Sequence, residues 1–492
     1  MSELEGRIGR LSPEKRSLLE RQLLRDRPQR SIDAIPRRAE SGPCPLSFPQ
    51  RRLWFLEQLA PGQPTYNAAL AMRVRGPLDL ERLERGLRSV ISRHDALRTT
   101  FRTPELEPVQ VVLDDWSFVI DARDLRGVAQ AEREAEMLRL AREEARRPFD
   151  LAHDLMLRVI ALRLSEREHV VVFIEHHIAF DGWSDGQLFR ELEELYAAEV
   201  AGRKAVLDDL PIQYADWSSW QQERLQGPAL ERLTAFWADA LRDAPPLLEL
   251  PLDRPRPPIQ TFAGAHHHFT AGPLADQLRA LARSEGATAF IVALAVFAAS
   301  LRRWCQADDI VIGSPVANRD HVELEHLIGF FSNTFVLRIH DAGEPTFREL
   351  VQRCRAVALA AYEHQELPFE KLVEHLRPPR DARVNPIFQV NFRVQTEARE
   401  TLRLRAVEVE PFPLDIGFSR FDLALEFQLE DQAINGYLEY NSALFADATI
   451  RTLGARIARL LADALAQPDQ PVAELAWEPT GSSGAIRGRR WR

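Results

Sequence analysis

The chain has 492 residues, 45% of them hydrophobic, and 63 basic side chains against 73 acidic ones give a formal charge of −10. That balance excludes collagen-like, low-complexity and disordered classes, and the acidic excess argues against a nucleic-acid binder, which needs a basic face. The length allows about three domains, or two large ones, each able to bury a core.

The longest near-continuous apolar stretch, Thr288 to Ser300 (TAFIVALAVFAAS), falls short of the roughly 20 residues that span a membrane and reads as a buried core helix. The charged start MSELEGRIGR has no apolar region of a secretory signal, so a cytoplasmic protein without membrane association is expected. Cys44, Cys305 and Cys354 are far apart and form no C-x-x-C pair, which leaves neither a disulfide framework nor a zinc ribbon to expect.

In chain order, Ser12 and Pro13 suit the start of a helix that continues through EKRSLLERQLL, predicting an N-terminal helix over residues 1–25. A linker rich in Pro, Arg and Ser follows over 26–45, and a first lobe is expected over 46–242. Within it Leu80, Leu83, Leu87, Val90 and Ile91 recur at spacings of three and four, predicting an amphipathic helix from about Asp79 to His94. The run His169 to Ile174 (HVVVFI) reads as a strand buried on both faces. Leu188, Leu192, Leu195 and Tyr196 then predict a helix, with Ser184 as its cap. The polar segment Glu175 to Gly182 therefore falls on the turn from strand to helix, a common place for a functional loop.

A Pro-rich stretch, Asp243 to Pro258 (DAPPLLELPLDRPRPP), is the expected crossing to a second lobe over 259–478. There a helix is predicted from about Leu274 to Ser300, with strands at Asp308 to Gly313 and Phe335 to Ile339. A flexible tail over 479–492 completes a chain expected to be a monomer of two α/β lobes meeting at a central site.

The segment that carries chemistry is EHHIAFDGWS, Glu175 to Ser184. Adjacent side chains on a strand point to opposite faces, so His176 and His177 cannot easily share one task or one metal. One should face a cleft while the other packs. Asp181 and Gly182 are expected to form a turn in which the carboxylate bonds backbone amides and Gly takes a positive φ. The run His266-His267-His268 looks like a metal tract, but strand alternation in AHHHFT sends its members to both faces, so a structural role is expected. No metal site is expected anywhere.

HHIAFDG resembles the HHxxxDG motif of condensation domains of nonribosomal peptide synthetases, in the superfamily that includes chloramphenicol acetyltransferase. Other motifs of that family appear in order: Ser47 to Leu56 (SFPQRRLWFL), Arg93 to Phe101 (RHDALRTTF) and Tyr214 to Trp220 (YADWSSW). Ile312 to Arg319 (IGSPVANR), Gly329 to Thr334 (GFFSNT), His364 to Val373 (HQELPFEKLV) and Arg380 to Gln389 (RDARVNPIFQ) follow, so the resemblance covers roughly Leu46 to Trp477. Pro49, Trp217 and Val384 depart from the residues usual there, and none touches the histidine motif.

The resemblance implies an α/β fold of two chloramphenicol acetyltransferase-like lobes, each a mixed sheet with helices, forming a V around a central tunnel. It implies acyl transfer, in which an amine or hydroxyl attacks a thioester held on a phosphopantetheine arm. The arm arrives on acyl or peptidyl carrier proteins for the donor and the acceptor, and no cofactor is bound by the chain itself. It gives the active role to His177 and a bracing role to His176, with Asp181 paired to an arginine. Arg319 is the expected partner and Arg98 the competitor. The backbone N–H of Gly182 is the candidate oxyanion donor, and Trp183, Ser314 and Asn333 are expected to line the tunnel. No adenylation signature and no attachment site for phosphopantetheine occur in the sequence, so substrates are expected from outside, with a free-standing enzyme slightly favoured. The N-terminal helix is a candidate docking element for carriers; for the basic tail a plain flexible end is favoured over docking. Two other readings stay open: an acyl-CoA-dependent acyltransferase, and a non-catalytic module that recruits a partner protein.

Overall fold

The computed structural model describes residues 34–39, 42–104, 106–340, 343–396 and 401–478. The N-terminal helix expected over 1–25, residues 26–33, 40 and 41 of the linker, and the tail 479–492 lie outside the described residues.

The first half of the chain runs β1 (Cys44–Pro45), α1 (Phe48–Leu59), β2 (Asn67–Arg75), α2 (Leu80–Arg93), β3 (Thr99–Arg102), β4 (Val109–Val112), β5 (Asp121–Asp124), α3 (Gln130–Arg146), β6 (Leu157–Ser165), β7 (Glu168–His176), α4 (Gly182–Ala201), α5 (Tyr214–Arg224) and α6 (Gly227–Ala240). The second half runs β8 (Gly264–Gly272), α7 (Ala275–Ser284), α8 (Ala289–Cys305), β9 (Asp309–Val316), β10 (Asn333–His340), α9 (Phe347–Glu363), α10 (Phe369–Leu376), β11 (Val390–Gln395), β12 (Glu408–Phe412), β13 (Leu423–Leu429), β14 (Ile434–Asn441) and α11 (Asp447–Ala466).

These form a five-stranded sheet, β12-β2-β7-β6-β5, and a six-stranded sheet, β10-β9-β11-β13-β14-β8, beside a small three-stranded sheet, β1-β4-β3. Both larger sheets are mixed: β5 runs parallel to β6, and β11 runs parallel to both β9 and β13. β7 shows why its sequence is a continuous apolar run. Val171 and Phe173 pack with Leu83, Leu87, Leu188 and Leu192 of α2 and α4, whereas Val170, Val172 and Ile174 pack with Met137 and Ala141 of α3. With helices on both faces, alternation would bury polar groups.

The helix expected from Leu274 to Ser300 is two helices, α7 and α8, bent by 103°. Gly286 takes φ +58° between them and Thr288 caps α8 by accepting the Ile291 N–H, so the apolar periodicity continues across a sharp bend. Residues Ile291 to Leu301 of α8 are all buried. Among the described residues no single helix is long and apolar enough to cross a membrane.

The lobe boundary expected at 242/243 does not coincide with the division between cores. Leu225, Leu233, Trp237 and Leu241 pack in the core of the six-stranded sheet. In the other direction β12 returns to pair antiparallel with β2, from Glu408 opposite Arg75 to Phe412 opposite Ala71. Prolines mark where the chain crosses, but membership of a core follows from which sheet edge or face is left to cover.

Candidate active site at the histidine loop

β7, the central strand of the first sheet, ends at His176 and α4 begins at Gly182, so the loop between them lies at the end of that strand and faces the second half of the chain. Two backbone bonds fix its start: the His177 N–H donates to Tyr66 O at 2.9 Å and the Ala179 N–H to His176 O at 3.0 Å. The cap of α4 is Asp181, not Ser184, because the Asp181 side chain accepts the Ser184 N–H at 3.0 Å. Gly182 is the first helical residue and does not take a positive φ, contrary to expectation; a Cβ placed on it would meet nothing within 4 Å. Its N–H, at the first helical position, has no intrahelical acceptor.

The two histidines are held as opposite tautomers. His177 Nδ1 lies 2.5 Å from the carbonyl oxygen of Phe180, which can only accept, so Nδ1 carries the proton and Nε2 is left with its lone pair. His176 Nδ1 accepts the Ile178 N–H at 3.2 Å, which puts its proton on Nε2. His176 is buried edge-on against Phe149, and His177 is partly exposed with its ring 4.8 Å from that of Phe330. Burial, reinforced by the positive charge of Arg420, holds the His177 pKa down at about 4. Burial with His177 and Arg420 nearby holds that of His176 at about 3. Both rings are therefore neutral near pH 7, and His177 has the form of a base.

Asp181 is a tie rather than a reactive group. Its Oδ1 receives Arg319 Nη2 at 3.0 Å and the Ser184 hydroxyl at 2.7 Å besides the Ser184 N–H; its Oδ2 receives the N–H groups of Phe331 and Ser332 at 3.0 and 3.2 Å. Burial pushes this carboxyl upward, but Arg319 and the Ser184 bonds outweigh it and hold the pKa below the ordinary carboxylate range. Arg319 also donates to the carbonyls of Leu324 and Leu327, and both members of the ion pair are buried. Arg98, the competing partner, is paired with Asp95 at 2.5 Å.

The remaining family-like motifs converge on the same loop. Gln50 Nε2 donates to Ile178 O at 3.2 Å, and Ser47 contacts the hydroxyl of Tyr214 at 2.8 Å, which in turn donates to Phe330 O at 2.8 Å. A Cβ on Gly329 would lie 2.2 Å from the Tyr214 ring, so this close approach requires glycine. His94 bridges Glu191 at 3.0 Å and the Ile328 N–H at 3.3 Å.

Trp183 and Ser314 line a cavity of about 540 Å³ that also takes in Phe290, Tyr362 and Asp320. Asn333 does not line it. Its amide donates to the carbonyls of Gln365 and Leu367, both at 2.7 Å, and accepts the Phe369 N–H at 3.1 Å, so it positions the loop before α10. Among the described residues no group of three or more His, Cys, Asp or Glu side chains is placed to hold a metal ion. In β8, His266 and His268 face Tyr437, and His267 lies beside Phe269 on the other side. Sequence alone does not point to Arg420 or to the Phe331 and Ser332 amides, because their part depends on which chain segments meet.

A mixed-sheet pair joined across a histidine loop is the arrangement of the condensation domains, and the chain belongs to that family: the family described as Condensation domain matches residues 40–483. Phosphinothricin tripeptide synthetase PhsC of Streptomyces viridochromogenes is 40% identical over 479 residues, 96% of this chain and 44% of that protein. Chondramide synthase cmdD of Chondromyces crocatus is 41% identical over 433 residues, 88% of this chain and 11% of that protein. The chain thus spans less than half the length of either relative. Among solved structures, the X-domain from teicoplanin biosynthesis aligns with a TM-score of 0.81 at 29% identity, over 90% of this chain and 99% of that one. The same X-domain in its complex with OxyB aligns at a TM-score of 0.78, 30% identity and 90% and 98% coverage. The chloramphenicol acetyltransferase-like α/β fold follows from this membership.

Proposed function

We propose that the chain joins an acyl thioester on one carrier protein to an amine, or a hydroxyl, presented by a second carrier. The observation that carries this reading is the tautomer of His177: Nδ1–H is committed to Phe180 O, so Nε2 is the proton acceptor of a partly open site. The acceptor nitrogen forms a bond to the thioester carbon as the carbonyl pair moves onto oxygen. His177 Nε2 takes the proton from that nitrogen. The oxygen pair then returns, the C–S bond breaks, and the imidazolium proton goes to the departing thiolate of phosphopantetheine. General-base help of this kind is worth about 10²–10⁴-fold, and holding the two reactants in register supplies about 7–11 kcal/mol more. His176 braces the loop, Gly182 offers its N–H to the oxyanion, and Asp181 with Arg319 fixes the loop that carries all three.

The test is product formation by mass spectrometry with preloaded donor and acceptor carriers. Wild-type chain should give the condensed product and His177→Ala should not; equal yields overturn the reading. Replacing the donor carrier by acyl-CoA separates it from a CoA-dependent acyltransferase. A second reading, recruitment of a partner protein without chemistry, is motivated by the X-domain crystallised with OxyB, and predicts partner binding with no product from any carrier pair.

A further inference from the structure

Arg420 lies between β12 and β13, and its backbone is held from two sides. Asn385 Nδ2 donates to its carbonyl at 2.8 Å, and its own N–H donates to Glu439 Oε1 at 3.4 Å. Its side chain reaches the first half of the chain, with Nε 3.4 Å from Thr65 O and the guanidinium carbon 5.4 Å from the centre of the Tyr66 ring. Tyr66 O is also the acceptor of the His177 N–H, so guanidinium and imidazole hang from one short turn. Among the described residues no carboxylate is in ion-pairing distance of the guanidinium. Glu439, whose charge reaches it, is engaged with His266 at 3.7 Å, and Arg52 and Arg393 add further positive charge. A partly buried cation without a directly paired carboxylate is costly, which suits it to an anion that forms only during reaction.

We propose that Arg420 is a catalytic residue, its guanidinium placed to take the negative charge that gathers on the acyl oxygen beside His177. This rests on the acyl-transfer reading above. The guanidinium keeps its own protons throughout: it faces the oxygen when the carbonyl pair moves there and is released when that pair returns on C–S cleavage. The charges facing the imidazole fit this placement. Arg420 opposes protonation of His177 and His176, whereas Asp181 favours that of His177 but is paired with Arg319.

The test compares wild type, Arg420→Lys and Arg420→Gln by three readouts. With preloaded carriers, Arg420→Gln should lose about 10²–10³-fold in kcat with KM little changed, the usual cost of removing one oxyanion donor, and Arg420→Lys should keep most of the rate. A pantetheine phosphonate, whose charged oxygens imitate the tetrahedral intermediate, should bind wild type and the lysine variant but bind the glutamine variant much more weakly. In ¹³C-histidine NMR the His177 pKa should rise in Arg420→Gln and stay in Arg420→Lys, which a merely structural arginine would not produce. Unchanged kcat in Arg420→Gln, or equal phosphonate binding by all three chains, overturns the proposal while leaving the acyl-transfer reading intact. If no carrier pair gives product with wild type but the phosphonate binds through Arg420, the reverse holds: acyl transfer fails and the anion site stands.

Discussion

Two arginines from the second half of the chain reach across to the first, Arg319 to the histidine loop and Arg420 to the turn that holds its start, and they are used differently. Arg319 is matched by a counter-charge: its two terminal nitrogens donate to a carboxylate, a hydroxyl and two carbonyls, and the pair it makes with Asp181 is buried. Arg420 touches one carbonyl and the face of one ring and has no carboxylate of its own among the described residues. A charge already paired with a buried counter-charge holds structure, whereas a charge without a paired carboxylate can answer a charge that appears later. The loop thus has a structural side at Asp181 and a reactive side at His177, only four residues apart.

The largest expected effect falls on the reactive side. His177→Ala should lower turnover of preloaded carriers by about 10²–10⁴-fold while leaving the urea midpoint near wild type, because its ring is partly exposed and makes one side-chain hydrogen bond. A variant that unfolds instead would show that His177 belongs to the structural side. Asp181→Asn should do the opposite, lowering the unfolding free energy by about 3–5 kcal/mol, since it leaves Arg319 buried without its counter-charge. Equal urea curves for Asp181→Asn and wild type would dissolve the contrast between the two sides.

A smaller effect separates the loop from the far edge of the second sheet by pH. His176 and His177 have folded pKa values of about 3 and 4 against an ordinary 6.5, so between those limits the unfolded chain binds protons that the folded chain refuses. Stability should therefore fall as pH is lowered from about 6.5 towards 4. Asp181, depressed by Arg319, adds a loss in the same direction at still lower pH. His266 behaves oppositely: burial disfavours its charge, but Asp415 and Glu439 outweigh burial and push its pKa up to about 9. Its contribution is complete below pH 6.5 and is lost as pH rises through 9. Urea unfolding at several pH values should show a maximum between these limbs. His266→Gln should flatten the alkaline limb alone; a variant that changes the acid limb instead would contradict the assignment. The His177 ring should stay neutral from pH 7 down to 5, which histidine NMR at several pH values checks.

How much of this was legible in the sequence depends on the range of the interaction. β7 was readable because an apolar run covered by helices on both sides has its own signature, and α2 because its apolar stripe and the Asp79 cap lie within one segment. The break between α7 and α8 was not, because the same apolar period continues on both sides of Gly286. Asp181 reads from the sequence as a turn residue, but its role as acceptor of the Phe331 and Ser332 amides appears only when residues 150 positions apart meet. The part Asn333 plays in positioning the segment before α10 is likewise invisible in GFFSNT, because the carbonyls its side chain binds, Gln365 and Leu367, lie more than 30 positions away. Arg420 carries no local signal beyond being a cation before an alternating strand.

Gly182 offers the finest division between the two sides, since it follows Asp181 and belongs to the reactive face. Neither its backbone nor its surroundings demand glycine: its φ is ordinary and a Cβ would stand in open space. Gly182→Ala should therefore fold as well as wild type, or gain up to about 1 kcal/mol, as alanine favours helix over glycine. If the acyl carbonyl approaches the N–H at the head of α4, the added methyl occupies that approach, and turnover of preloaded carriers should fall with unchanged urea stability. If turnover is untouched, the carbonyl does not pass this residue, the Gly182 N–H is not an oxyanion donor, and the stabilising charge has to come from the side of Arg420.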